Sequence, residues 1–166
     1  MIGRLTWFAL YTRPRYEMKV NNELVAMGIE AYLPVQKTLK KWSDRKKWIE
    51  EPLFKSYCFV RIAPELYRKP LDVIGAIRYI YLDGKPAKIR DSEIEAIKMI
   101  CDSNFPVEVV ERDFIAGEKI SITSGPLRGL EGEFIEGAGK QKVLVRIDSI
   151  NHGLLVSVPI AQVMAC

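Results

Sequence analysis

The last third of the sequence limits the fold most strongly. Short segments there alternate between apolar and polar residues, and glycine-containing turns separate them. The segments are residues 118–123, 131–137, 142–147 and 154–158, and Val163 and Met164 are expected to add a fifth. Alternation with a period of two is typical of strands that bury one face. Short strands at this spacing in about 55 residues predict a small closed β-barrel of modest stability.

The first part of the chain has a different pattern. Residues 6–11 alternate and are rich in aromatic side chains, which predicts a strand. Residues 16–27 carry apolar side chains at helical spacing, and Gly28 is suited to end that helix because glycine adopts positive φ. Further strands are predicted at 29–35, 54–62 and 77–82, and a second helix at 92–101.

This β-α-β-β-β-α order predicts an α+β chain. An amino-terminal, open-faced antiparallel sheet with helices occupies residues 1–103. Residues 104–114 are interpreted as a linker, because they carry a proline and charges without an amphipathic pattern. The small barrel then occupies residues 115–166.

A basic hairpin is predicted between residues 36 and 51. Its two polar arms flank Ser43 and Asp44, and six of its residues are lysine or arginine. A ribbon with this charge and little to bury is expected to project from the sheet and to lie close to nucleic acid, in particular upstream duplex DNA. Trp42 and Trp48 are expected to stack on each other across the two arms, with direct stacking on bases as the alternative.

The charge is unevenly distributed along the chain. The net charge is +4, but residues 1–103 hold 19 Lys and Arg against 13 Asp and Glu, a balance of +6. Residues 104–166 hold 6 against 8, a balance of −2. Only the first part is therefore expected to bind a polyanion.

The sequence contains no recognisable catalytic or metal-binding set. Cys58, Cys101 and Cys166 form no CxxC pair, and His152, the one histidine, lies in a turn signature. Cys58 and Cys101 are interpreted as small buried apolar residues. We therefore expect no enzymatic activity, no metal and no other cofactor.

The sequence also indicates where such a protein would work. No apolar run approaches the ~20 residues that span a bilayer. The first residues lack the long apolar core and cleavage site of a signal peptide. Scattered cysteines fit a reducing compartment, so a cytoplasmic location is expected.

Two segments carry a resemblance to a known family. Residues 117–132 (GEKISITSGPLRGLEG) resemble the KOW motif of transcription elongation factors and ribosomal proteins. Residues 51–60 (EPLFKSYCFV) resemble the core strand of the NusG amino-terminal domain, with Lys55 where the family commonly has proline. Further matches follow in the same order at residues 7–11, 28–34 and 91–94. Over residues 5–165 the chain resembles NusG-family factors, with an NGN domain and an SH3-like KOW barrel.

The hairpin refines this resemblance. Residues 42–48 (WSDRKKW) are similar to the specialised NusG paralogues of the RfaH and UpxY type. The resemblance therefore implies a transcription elongation and antitermination factor that acts on specific operons, such as those for surface polysaccharides.

The resemblance also implies partners. The NGN domain would bridge the main cleft of RNA polymerase, with its apolar face on the clamp helices of the largest subunit and its other side near the β-subunit gate loop. The clamp would stay closed, so that pausing and termination are suppressed. The barrel of relatives contacts a small-subunit ribosomal protein or Rho. It refolds as a helical hairpin in RfaH, but the glycines and β-branched residues here favour a barrel.

Two sets of binding residues are predicted. The RNA polymerase-binding candidates are Tyr11, Phe54, Tyr57, Phe59, Leu82 and Ile97. The nucleic-acid-binding candidates, for non-template or upstream DNA, are Arg13, Arg15, Tyr16, Lys19, Lys40, Lys41, Arg45, Lys46, Lys47 and Arg78. The alternative for the first set is a purely structural core, and for the second it is solvated surface charge.

Three other functions are weighed against this one. A general housekeeping NusG lacks the specialised hairpin. An RNA- or ribosome-binding KOW protein should have a basic barrel, whereas this one has a balance of −2. An enzyme would need a cluster of ionisable groups that the sequence does not offer.

Overall fold

The computed structural model describes residues 3–111, 117–137 and 140–165. The chain divides into two compact units, Met1–Asp91 and Ser92–Cys166. Both units contain helix and antiparallel sheet, so the predicted α+β class is confirmed. No helix in the described ranges is long and apolar enough to cross a membrane.

The first unit is built on an antiparallel sheet. Its elements are β1 (Thr6–Thr12), α1 (Glu17–Ala26), β2 (Glu30–Tyr32), β3 (Val35–Lys41), β4 (Lys46–Pro52), β5 (Tyr57–Ile62), β6 (Ala76–Tyr79), β7 (Tyr81–Leu82), β8 (Lys85–Pro86) and β9 (Lys88–Ile89). Two 3-10 turns, Pro64–Leu66 and Lys69–Asp72, precede β6. The strand order is β2-β5-β1-β6, and β9 also pairs with β1. The pairs β3–β4 and β7–β8 are separate two-stranded ribbons.

One face of this sheet packs against α1 and forms the core. The buried side chains of this core are Phe8, Leu10, Val20, Leu24, Ile29, Cys58, Val60, Ile62, Val73 and Tyr79. Alternation along β5 therefore places Cys58 and Val60 in the core and leaves Tyr57 and Phe59 on the opposite face. Cys101, on the second predicted helix, is only half-buried.

Local signals in the first unit predicted the elements well, with three exceptions. The strand predicted at 54–62 begins at Tyr57, because the chain turns at the preceding residues, where Ser56 has φ +66°. Helix α1 ends one residue before the C-cap Met27, and Gly28 follows with φ +80°, as predicted. The strand predicted at 29–35 ends at Tyr32, because Pro34 cannot donate a ladder hydrogen bond. The strand predicted at 77–82 is interrupted at Ile80, where the chain leaves β1 and enters the β7–β8 ribbon.

The second unit contains one helix and a β-rich region. Its elements are α2 (Asp91–Ser103), β10 (Val107–Glu111), β11 (Glu118–Ile122), β12 (Glu131–Gly137), β13 (Lys140–Ile147), β14 (His152–Ser157) and β15 (Val163–Ala165). Within the described residues the antiparallel strand order is β10-β14-β13-β12-β11-β15. All the strands predicted there are present. In the part of the chain that the structure describes, β10 and β15 do not pair with each other. Closure of the sheet into a barrel therefore stays a prediction.

The segment interpreted as a linker is partly a strand. Val107 to Glu111 form β10 and pair with β14, with Val109 opposite Leu154. The physical reason is a short alternation of valine and glutamate, which suffices for an edge strand with one half-buried side. Residues 112–116, which include the predicted end of the linker, lie outside the described residues.

Helix α2 is anchored to the β-rich region by a buried acid. Ile94, Ile97 and Ile100 are buried at the predicted helical spacing. The Glu93 carboxylate accepts hydrogen bonds from the backbone N–H (3.2 Å) and the hydroxyl of Ser149. Most of α2 thus belongs to the same compact unit as the β-rich region. The predicted domain boundary at residue 103 stays a prediction.

An ion pair between Arg146 and Glu133 gives the β-rich region a pH dependence. Arg146 on β13 donates two hydrogen bonds to Glu133 on β12, one from Nη2 at 3.2 Å and a shorter one from Nε. These bonds hold the pKa of the Glu133 carboxyl below its usual value. A carboxyl with a lowered folded-state pKa stabilises the fold above its unfolded pKa, and this contribution is lost as the pH falls through the folded-state pKa.

We expect Glu133→Gln to destabilise the protein by about 0.5–1 kcal/mol at neutral pH. The difference from the unchanged protein should shrink below about pH 4, near the unfolded pKa of glutamate. Urea unfolding at neutral and acid pH, followed by circular dichroism, measures this. Glu131→Gln on the same strand is the control, because Glu131 is exposed and has no ion-pair partner in the described part of the chain. An equal loss for both variants at both pH values would contradict the prediction.

Candidate polymerase and nucleic-acid interfaces

An aromatic row crosses the first sheet on the face opposite to α1. Tyr57 on β5 lies beside Tyr11 on β1, and Tyr11 lies beside Arg78 on β6. The Arg78 guanidinium carbon is 5.3 Å from the centre of the Tyr11 ring. We call Tyr57, Tyr11 and Arg78 the aromatic row. Its two tyrosines are half-buried and Arg78 is exposed, so the row can reach a partner.

Two phenylalanines support the row. The Phe54 ring is stacked near Tyr57, with centroids 6.4 Å apart, and meets Phe59 edge-on at 5.8 Å. Both phenylalanines are buried, at 3% and 0% exposure. Their rings therefore restrict the position of Tyr57, since aromatic side chains packed in this way have few alternative rotamers.

The predicted polymerase-binding residues thus fall into three groups. Tyr11 and Tyr57 lie side by side in the aromatic row, and Phe54 and Phe59 lie next to it but are buried. Leu82 is 40% exposed on the separate β7–β8 ribbon. The sixth residue, Ile97, is fully buried on α2 in the second unit.

A basic turn connects β1 to α1. Two cations lie near the Tyr16 ring, with Arg13 Cζ 6.0 Å and Lys19 Nζ 5.7 Å from its centre. Gly75 packs closely against Tyr16, since an added Cβ would lie 2.6 Å from Tyr16 Cδ1. We call Arg13, Arg15, Tyr16 and Lys19 the basic turn. The structure therefore brings Arg13 and Lys19 close to the Tyr16 ring, and a role of these residues in nucleic-acid binding stays a prediction.

A buried acid that the sequence did not reveal fixes this turn. Glu17 accepts hydrogen bonds from the backbone N–H groups of Arg15 (3.3 Å) and Ser56 (3.0 Å). Arg15 and Ser56 both have positive φ, so the acid stabilises two backbone conformations that non-glycine residues rarely adopt. Glu17 therefore ties the basic turn to the loop that carries Lys55. That loop adds an exposed cation at the same end of the sheet.

The basic hairpin, β3 with β4, has two different faces. Its turn is closed by a hydrogen bond from Trp42 N–H to Arg45 O, 2.8 Å long, around Ser43 and Asp44. On one face, Glu51 pairs with Lys40 at 3.1 Å and accepts a bond from Thr38 at 3.4 Å. The other face carries the rungs Lys37–Glu50, Leu39–Trp48 and Lys41–Lys46.

Two consecutive rungs of this hairpin place like charges opposite each other. Lys40 is paired with Lys47, and Lys41 with Lys46. Directly opposed like charges destabilise a two-stranded ribbon. A bound polyanion would relieve this repulsion, which makes the two lysine rungs the candidate DNA contact of the hairpin. The predicted residues Lys40, Lys41, Arg45, Lys46 and Lys47 all lie at this end of the hairpin.

The predicted stacking of Trp42 on Trp48 is wrong. The two-residue turn pairs Trp42 with Arg45 and Trp48 with Leu39. Alternation then places the two indoles on opposite faces of the ribbon. Arg45 covers Trp42 instead, with its guanidinium carbon 5.3 Å from the ring centre.

Two kinds of catalytic group were considered among the described residues, a reactive thiol and a metal-binding cluster. The Cys58 thiol is buried, and burial together with the nearby Glu17 carboxylate raises its pKa to about 12. A thiol with so high a pKa is a poor nucleophile at neutral pH. No group of three His, Cys, Asp or Glu within the described ranges could hold a metal ion.

Comparisons with known proteins match a family model and several solved structures. Residues 5–98 match the family model described as "Transcription termination factor nusG". The solved structure "Domain interaction in Thermotoga maritima NusG" is similar at 23% identity and a TM-score of 0.58, over 97% of each chain. The "MjSpt4:Spt5 complex conformation A" matches at 13% identity and a TM-score of 0.32, over 96% of this chain and 97% of the other.

Proposed function

Because the chain belongs to the NusG family of transcription factors, we propose that it is an elongation and antitermination factor that binds RNA polymerase. One observation carries the proposal: the segment that matches the family, residues 5–98, contains every candidate binding residue from Tyr11 to Ile97. The function is therefore argued from surfaces of the matched segment itself. It is a binding function, in keeping with a family of non-enzymatic factors.

The aromatic row is the proposed contact with the polymerase clamp helices. Tyr57 and Tyr11 place two half-buried rings side by side on the sheet face opposite to α1, a surface suited to the apolar side of a helical hairpin. Tyrosine and arginine are enriched among the residues that dominate interface energies. Phe54 and Phe59 act by holding Tyr57 in place rather than by direct contact, because both are buried.

The basic turn and the basic hairpin are the proposed contacts with DNA. Arg13 and Lys19 flank an aromatic ring, the combination that binds single strands through phosphates and stacked bases. The hairpin adds two opposed lysine pairs. A factor that contacts polymerase and DNA together binds the closed clamp more tightly than the open one, which is sufficient to suppress pausing and termination.

The hairpin also supports action on specific operons, such as those for surface polysaccharides. The resemblance of residues 42–48 to the specialised RfaH and UpxY paralogues carries this part of the proposal, and the two opposed lysine pairs add a basic surface for DNA. The second unit is proposed to recruit a separate partner, either a small-subunit ribosomal protein or Rho. Its negative balance of charge disfavours nucleic acid as that partner.

Transcription in vitro tests the proposal. Elongation complexes stalled downstream of a promoter are restarted with and without the protein, across a pause site and a terminator. We expect shorter pauses and more full-length RNA. Unchanged pausing and termination, at low ionic strength and with saturating protein, would overturn the proposed function.

A further inference from the structure

We infer that the hairpin face bearing Trp48 is a stacking platform for unpaired bases of single-stranded DNA. This inference rests on the proposed function, and it names the chemistry that one part of the DNA contact would use. It also gives the two tryptophans different roles, although the sequence alone does not distinguish them. Trp48 is assigned to ligand binding, and Trp42 to the structure of the turn.

The first support is the exposure of Trp48. Its side chain is 64% exposed, against 46% for Trp42. Its cross-strand neighbour Leu39 is 37% exposed, so the two form a continuous apolar patch on a ribbon without a core. Among the described residues no ring or cation covers Trp48, whereas Arg45 covers Trp42. A packing role thus accounts for Trp42 and leaves the exposed indole of Trp48 unexplained.

The second support is the order of charges on the same face. Toward the tip, the next rung is the cation pair Lys41 and Lys46. Toward the base, the next rung is Lys37 opposite Glu50. Neighbouring rungs on one face are about 7 Å apart along the strand. A base resting on Trp48 therefore has net positive charge for its phosphate on the tip side, since on the base side the charge of Lys37 is balanced by that of Glu50.

The third support concerns the state of the DNA. In a duplex the base faces are stacked on one another, so an indole on the surface of a ribbon cannot reach them. In a single strand every base has a free face, and a stack on an aromatic side chain is worth about 1–3 kcal/mol. An open, flat, apolar patch beside lysines thus fits a single strand, which an elongation complex supplies as the displaced DNA strand.

Binding of a fluorescein-labelled oligothymidylate by the full chain, measured by anisotropy without polymerase, tests the inference. Trp48→Ala should weaken binding roughly 5- to 150-fold, the value of one lost stack. Trp42→Ala is the matched control and should weaken it less than about twofold. Trp48→Phe should retain most of the affinity and Trp48→Leu should not, because stacking needs an aromatic ring. In a Trp42→Phe background two tryptophans remain, Trp7, which is buried, and Trp48, which is exposed. The oligonucleotide should quench the fluorescence of Trp48 only, so the quenching should disappear when Trp48→Phe is added.

Several results would overturn the inference. Equal effects of the two alanine variants, full affinity of Trp48→Leu, or tighter binding of a matched duplex or oligouridylate would each do so. Absence of oligonucleotide binding by the unchanged protein would do so as well. If the protein still suppresses termination in that case, the proposed function stands without the stacking platform. If Trp48-dependent binding is found but transcription is unaffected, the proposed function fails and the platform remains.

Discussion

Removing the four opposed lysines of the hairpin is expected to abolish most of its contribution to DNA binding. The variant replaces Lys40, Lys41, Lys46 and Lys47 with alanine. Each lysine that neutralises a phosphate contributes about 0.9 to the slope of log K against log salt for duplex DNA and about 0.7 for a single strand. Since Lys40 also pairs with Glu51, three full contacts are expected. The slope should therefore decrease by about 2 to 3 and the affinity at low salt by roughly 100-fold.

The same variant should be no less stable than the unchanged protein. Two rungs of like charge are removed, and such rungs destabilise the ribbon. Loss of binding together with unchanged or increased stability would exclude misfolding as the cause. Salt titrations with a duplex that contains an unpaired bubble, and thermal unfolding in parallel, provide the two measurements.

A control variant removes the same charge elsewhere in the first unit. It replaces four exposed cations outside the proposed contacts, namely Arg4, Lys69, Lys85 and Lys88. A long-range effect of net charge would lower the affinity of both variants similarly, whereas direct contact affects only the hairpin variant. Identical salt slopes for the hairpin variant and the unchanged protein would show that the hairpin does not touch phosphate.

The elements of this chain were predictable where the signal is local. Helix α1 follows from the spacing of Val20 and Leu24, and its end follows from Gly28. The hairpin turn follows from Ser43 and Asp44, with the arms in the expected places. Such features depend on a few neighbouring residues, so one sequence is sufficient to specify them.

The hairpin turn by itself determines on which faces the two tryptophans lie. A two-residue turn at 43 and 44 fixes the register, so that Trp48 must lie opposite Leu39. Counting from the turn places Trp42 and Trp48 on opposite faces without any structure. Attraction between two aromatic rings favours stacking, but the pleat of the ribbon holds these two rings on opposite faces.

The role of Glu17 was not predictable in this way. Its carboxylate bonds Ser56, 39 residues further along the chain. A first-turn glutamate usually serves its own helix, and nothing in the local sequence indicates a second loop. The same limit applies to the aromatic row, because Tyr57, Tyr11 and Arg78 become neighbours only through the pairing of three strands.

Replacement of Tyr57 with aspartate should remove most of the affinity for RNA polymerase. The change deletes the ring at the end of the aromatic row and places a charge on an apolar contact surface. Interface residues of this type cost about 2 kcal/mol or more when lost, which corresponds to roughly 30-fold or more in affinity. Tyr57→Phe should bind nearly as well as the unchanged protein if the ring rather than the hydroxyl makes the contact.

Tyr81→Asp is the matched control for this prediction. Tyr81 is a more exposed tyrosine, at 53%, and lies on the β7–β8 ribbon outside the aromatic row. Affinity for the purified polymerase, measured by titration with labelled protein, should change less than about threefold for this variant. A folded Tyr57→Asp protein, verified by its circular dichroism, that binds polymerase as tightly as Tyr81→Asp would remove Tyr57 from the interface. In that case Tyr11 would be removed from the interface as well, because the two rings lie side by side and a helical hairpin that covers one must contact the other.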